Sequence, residues 1–115
     1  MTPKIIARVD SWLFSRRAWL LSTEYRDWLH HEWRLAVDRF NSNERAGARE
    51  AVAACLAGCL LSLVMEAWGA EAWFQPSPSR NAKIEGWMVV VFGRGIVGRG
   101  ATLAEAIVAA LEAAS

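Results

Sequence analysis

Apolar residues recur at a helical period from the start of the chain. Ile5, Ile6, Val9, Trp12 and Leu13 fall on one helical face, and no glycine or proline interrupts residues 4–43. This spacing predicts a first helix over about 5–20. Ser22 and Thr23 break the pattern and stand ahead of Glu24 and Asp27, and small hydroxyls before early acids mark a helix start. A second helix over 24–41 follows. Its apolar face is read as Leu21, Tyr25, Trp28, Leu29, Ala36, Val37 and Phe40, with Trp33 and Leu35 set to the side. Asn41, Ser42 and Asn43 end it. Asn43 or Ser42 can cap a third helix from Glu44 to about Trp68, stopped by Gly69. That helix carries a buried stripe of Val52, Leu56, Cys59, Leu60, Leu63, Val64 and Ala67.

Beyond Gly69 the period shortens. Ala72, Trp73 and Phe74 form a short candidate strand, and Pro76 and Pro78 lie in the polar loop QPSPSRNAK. Residues 86–93, GWMVVVFG, are rich in strand formers, and Ile96 and Val97 open a third short strand among four glycines. The last segment, TLAEAIVAALEAA, begins with Thr102 and Glu105 in the S/T-x-x-E spacing of a capping box. There Thr102 accepts the amide of Glu105, and Glu105 reaches back to the amide of Thr102. The predicted order is three helices, a small antiparallel sheet and a final helix. This is an α+β protein, read as one domain over 1–115 with a helical part over 1–43 and an α-β-β-α part over 44–115.

Residues 44–114 carry a resemblance. The third helix, the early aromatic strand, the Pro-bearing loop, Trp-Met-Val-Val-Val and GRGATLAEAIVAALEAA together resemble the small bacteriophage "ABA sandwich" proteins. The resemblance implies a phage or prophage origin and an α-β-β-α layer. It implies no activity, because that family is defined by its fold.

Composition then changes the picture at one point. Seven of 115 residues are Trp, and Trp12, Trp19, Trp28 and Trp33 share the first two helices with Arg8, Arg16, Arg17, Arg26, Arg34 and Arg39. One amphipathic helix has one apolar face, so Trp33 and Trp19 are read as surplus to the core. Trp and Arg are enriched at binding hot spots. Trp19, Arg26, Trp33 and Arg34 are therefore the first contact candidates for a protein partner, with Arg94 and Arg99, which flank the glycine-rich turn, second. Residues 1–43 hold seven basic and five acidic side chains, a net +2, and the acids interleave with the aromatics. A single-strand nucleic-acid groove needs stacking aromatics with a clear basic excess, so nucleic acid is disfavoured as the partner.

The remaining motifs carry little chemistry. GRGIVG at 93–98 spells G-x-G-x-x-G, but no parallel strand follows, and it is read as a hairpin turn. Adjacent His30 and His31 point about 100° apart on a helix and cannot share a metal. Cys55 and Cys59 are read as buried, reduced thiols, in keeping with a cytosolic setting. Ala51–Met65, the longest uncharged run, falls short of the ~20 residues of a bilayer span and is read as a buried central helix. The opening MTPKIIARVD shows no apolar signal core. No nucleophile is paired with a base and no carboxylate pair stands in an apolar frame. The expectation is a non-enzymatic protein without cofactor or metal, in the cytoplasm of a bacterial host. It would bind a host protein complex, and inhibition of a CRISPR defence effector is the concrete version. The alternatives are a self-assembling homodimer and, third, a nucleic-acid-binding module.

Overall fold

The computed structural model describes residues 2–13, 21–42, 46–78 and 84–114, with the side chains at 46–49, 78, 84 and 85 outside that description. The described order is α1 (Pro3–Leu13), α2 (Thr23–Ser42), α3 (Ala46–Trp68), a 3-10 turn at Gly69–Glu71, β1 (Ala72–Pro78), β2 (Ile84–Val91), β3 (Ile96–Gly100) and α4 (Leu103–Ala113). The α+β class expected from the pattern is the one observed. The chain divides into two compact units, Met1–Leu63 and Val64–Ser115. The division falls inside α3, whereas composition alone had set it at 43/44.

The first unit is helical. Thr2 caps α1: its hydroxyl accepts the Ile5 amide at 3.4 Å, and Pro3 takes the first helical position, where a missing N–H costs nothing. This Thr-Pro start places the helix two residues earlier than its apolar spacing suggested. Ser22 does the same for α2, its hydroxyl accepting the Tyr25 amide at 3.3 Å. The faces follow a single stripe on each helix. Ile5, Ile6, Val9, Trp12 and Leu13 are buried in α1, and Leu29, Trp33, Ala36, Val37 and Phe40 in α2. This corrects the reading of α2: Trp33 lies at the centre of the buried stripe, and Trp28 is half exposed. The Tyr25 hydroxyl and Ser62 of α3 share a hydrogen bond of 2.6 Å.

Helix α3 is apolar on both its buried and its exposed face. Leu56, Leu60, Leu63 and Val64 are fully buried, while Ala51, Ala54, Cys55, Gly58, Leu61 and Met65 are exposed. The expectation of a buried central helix therefore holds for one face only. Glu50–Glu71 is long and apolar enough to cross a membrane by length and composition, and 28% of its apolar window is buried within the protein. The reading of both cysteines as buried is also corrected: Cys55 is exposed and Cys59 is half-buried. Burial pushes the Cys59 thiol up, with Glu32 and Cys55 adding to the effect. A raised pKa leaves less thiolate at a given pH, and thiolate is the reactive form. Cys59→Ser, which keeps the exposed Cys55, should therefore be alkylated by iodoacetamide at pH 8 faster than Cys55→Ser. Equal rates would contradict this placement.

The second unit is a three-stranded antiparallel sheet, order β1-β2-β3, with α4 on one face. Gly69 has φ 55°, the left-handed conformation that ends α3 where its position predicted. The sheet exceeds the sequence reading. β1 runs on through Pro76 to Pro78, which is possible because it is an edge strand. Val89, Val91 and Gly98 face α4 and are buried, as are Ala106, Ile107, Ala110 and Leu111 on the helix. A Cβ at Gly98 would strike the Ala106 carbonyl oxygen and the Ala110 backbone, and one at Gly100 would lie 2.7 Å from the Ala106 nitrogen. These two glycines let helix and strand backbones touch. The helix opens as its motif predicted, with Thr102 Oγ1 accepting the Glu105 amide at 3.2 Å. The return bond differs from expectation: Glu105 Oε2 accepts from the amide of Ala101, not of Thr102.

Candidate functional site

Side chains alternate across a strand, so the face of the sheet away from α4 is fixed by register. Trp73 pairs with Val90 and Val90 with Val97, which makes one apolar row across all three strands. Gln75, Met88 and Arg99 form the next row in one direction. In the other direction the Phe92 amide donates to the Glu71 carbonyl at 2.9 Å and extends the ladder by one rung. The rings of Trp73 and Phe92 meet edge to face, with centroids 6.3 Å apart. Trp73 is 56% exposed, Phe92 57% and Val97 46%. A buried aromatic side chain covers ~150–250 Å², so this pair alone leaves about 200 Å² of aromatic surface in water. Exposed apolar residues scattered singly need no explanation; here Trp73, Phe92 and Val97 instead lie together on one face of the sheet.

Charges sit at the rim. Arg94 Nε donates to Glu71 Oε2 at 3.0 Å, both side chains half exposed. An exposed ion pair of this kind adds little stability, on the order of 0–1 kcal/mol, but it ties the β2–β3 turn to the start of β1. Gly93 and Gly95 have φ 78° and 65° in that turn, which is why G-x-G-x-x-G appears there: two glycines make the turn and Gly98 admits α4. The motif serves a hairpin, as its context indicated. Arg99 is exposed on the open face, beside Met88.

The contact candidates chosen from sequence separate accordingly. Arg94 and Arg99, the second choice, flank the open apolar face. Trp33 is 1% exposed, and its Nε1 donates to Asp10 Oδ1 at 2.8 Å. Arg34 Nη1 lies 4.0 Å from the other oxygen of Asp10. Arg26 is half-buried on α2, and Trp19 lies outside the described residues. On α2 the exposed large apolar residues are Trp28 and Leu35, a turn or two apart with His31 and Arg34 between them. That interrupted face lacks the continuity of the sheet. The signal missed in the sequence was the period of two itself: with β1 extended to Gln75, Trp73 and Gln75 alternate with Phe74 and Pro76 and assign Trp73 to one face.

Among the described residues no group of three His, Cys, Asp or Glu gathers to hold a metal ion. Comparison with protein families, with curated proteins and with solved structures finds no match. The class the chain defines by itself is an α+β protein: a helical unit followed by a three-stranded antiparallel sheet backed by one helix.

Proposed function

We propose that this protein is a non-enzymatic binding protein that acts by protein–protein contact, and that the open face of its sheet is the contact surface. The observation that carries the reading is the apolar row Trp73–Val90–Val97, with Trp73 and Val97 exposed, Val90 half-buried between them and Phe92 packed against Trp73. Arg99 and the Arg94–Glu71 pair supply the polar rim that such surfaces carry. The interior of the patch holds no charge, which disfavours a phosphate backbone as its ligand. A phage origin, which the resemblance of residues 44–114 implies, would make a host protein in the bacterial cytoplasm the partner. Blocking of a defence complex such as a CRISPR effector is the form of action to test first.

The test is affinity capture from nuclease-treated bacterial lysate with three baits: the native protein, Trp73→Ala and Trp28→Ala. The expected result is a stoichiometric protein retained by the native chain and by Trp28→Ala, and lost with Trp73→Ala. Truncating a central aromatic of an interface typically costs ≥ ~2 kcal/mol, or about thirtyfold in affinity. Both tryptophans are half exposed, so neither change should lower the thermal midpoint much. Capture that survives Trp73→Ala and fails with Trp28→Ala would move the contact surface to α2.

A further inference from the structure

The open sheet face has a property beyond exposure: it is complementary to itself. Its centre, Trp73, Val90, Val97 and Phe92, is uncharged, so whatever covers it must be apolar there. Its charges stand at opposite corners. Glu71 lies at the start of β1, one rung beyond Trp73, and Arg99 lies on β3, one row beyond Val97 in the other direction. Four residues along a strand and two strands across separate them by roughly 14 Å and 10 Å. Arg94 engages Glu71 through one carboxylate oxygen, Oε2. A carboxylate accepts at about four lone-pair positions, so this one can take a second guanidinium.

We propose that a second copy of this chain covers this face, in a two-fold dimer that occludes the same surface a partner would use. The inference rests on reading the open face as the contact surface, and it names that face's resting occupant. Consider a two-fold axis lying between two facing sheets, perpendicular to the Glu71–Arg99 diagonal. It brings the apolar centre of one copy onto that of the other and sets each Arg99 over the Glu71 of the opposite copy. Two-fold interfaces require this self-complementarity, because every contact is made twice. An arginine fork on a carboxylate is also among the stronger charged contacts. The patch is small, a three-strand face well under the ~800 Å² each partner contributes to a standard interface. Such a dimer is weak and reversible. Self-association therefore holds the face covered when the protein is concentrated and yields to a tighter partner.

Charge reversal tests this directly. Arg99→Glu sets Glu against Glu71 at both contacts of its dimer, and Glu71→Arg sets Arg against Arg99 at both. Mixed one to one, the two variants make two attractive contacts. Sedimentation velocity over a dilution series should show the native chain as a dimer that dissociates on dilution. Each variant alone should need about tenfold or more higher concentration to pair. The equimolar mixture should return close to the native midpoint, which a misfolded variant would not do. A native chain that stays monomeric throughout, a dimer indifferent to both reversals, or a mixture no better than either variant would each overturn the proposal. The lysate capture separates the two readings. A partner lost with Trp73→Ala from a monomeric native chain keeps the contact surface and removes the dimer. A dimer that behaves as expected while capture ignores Trp73→Ala keeps the dimer and removes the partner site.

Discussion

Gly98→Ala should be among the most damaging small changes in this protein, costing about 3 kcal/mol or more. The added Cβ meets backbone rather than side chain: the Ala106 carbonyl, the Ala110 nitrogen, and the Ala110 Cα at 2.8 Å. Rotamer changes cannot relieve this, so α4 must lift from β3. Overpacking typically costs ~1–3 kcal/mol, and a clash with two helix turns belongs at or beyond the upper end. Lifting α4 also exposes Ile107, Val108 and Leu111, all 0–1% exposed in the native fold. Against a total stability of ~5–15 kcal/mol, a loss of this size is visible in any denaturant titration. Gly58 provides the internal control. It sits in the middle of α3, is exposed, and has nothing within 4 Å of the position a Cβ would take. Gly58→Ala should stabilise the protein by ~0.5–1 kcal/mol, the helix propensity of alanine over glycine. One chemical change thus has opposite signs at two sites. If Gly98→Ala leaves the urea midpoint in place, the close approach of α4 to β3 is wrong.

These two glycines also show where the sequence was legible. Segments with a strong local signal were readable from it. The caps at Ser22 and Thr102 and the stop at Gly69 each depend on a few adjacent residues. The turn glycines at 93 and 95 and the α+β order also follow from local pattern. What the pattern left open was which of two competing faces a residue takes. On α2, Trp28 and Trp33 both lie near Leu29, and the chain alone offers each as a core residue. The choice depends on the whole stripe: Leu29, Trp33, Ala36, Val37 and Phe40 follow the 4-3-1-3 spacing of one face, and Trp28 lies about 100° away from Leu29. On α3 the pattern gives no contrast between faces, because its outward face is also apolar, with Ala51, Ala54, Leu61 and Met65 exposed. On the sheet, the local pattern marks only three residues of β1, Ala72–Phe74, too few for alternation to mark a face. The extended register is what assigns Trp73 and Phe92 to the side opposite α4. Arg94 is exposed by the glycine-rich turn itself, whereas Arg99 lies in β3 and its place on the open face follows from the register with Met88.

The second large effect concerns Trp33 and decides between a core and a contact role for the first unit's tryptophans. Trp33 is the largest fully buried side chain among the described residues, and its indole N–H donates to Asp10 across the α1–α2 contact at 2.8 Å. Trp33→Ala removes the buried ring and leaves a cavity, a change that costs ~3–5 kcal/mol. Trp33→Phe keeps most of the apolar volume and loses the bond to Asp10. That carboxylate is 25% exposed and can turn to water, so the loss falls at the lower end for a hydrogen bond to a charged group, about 1.5 kcal/mol. The expected order in a thermal or urea titration is native, then Trp33→Phe slightly below, then Trp33→Ala far below. Partner capture by Trp33→Phe should stay at the native level, because its side chain reaches no surface. A contact residue would behave in the reverse manner, with stability unchanged for both variants and capture lost. Trp73→Ala should show that reverse pattern. The pair of tryptophans, one on α2 and one on β1, therefore separates a core role from the proposed contact role.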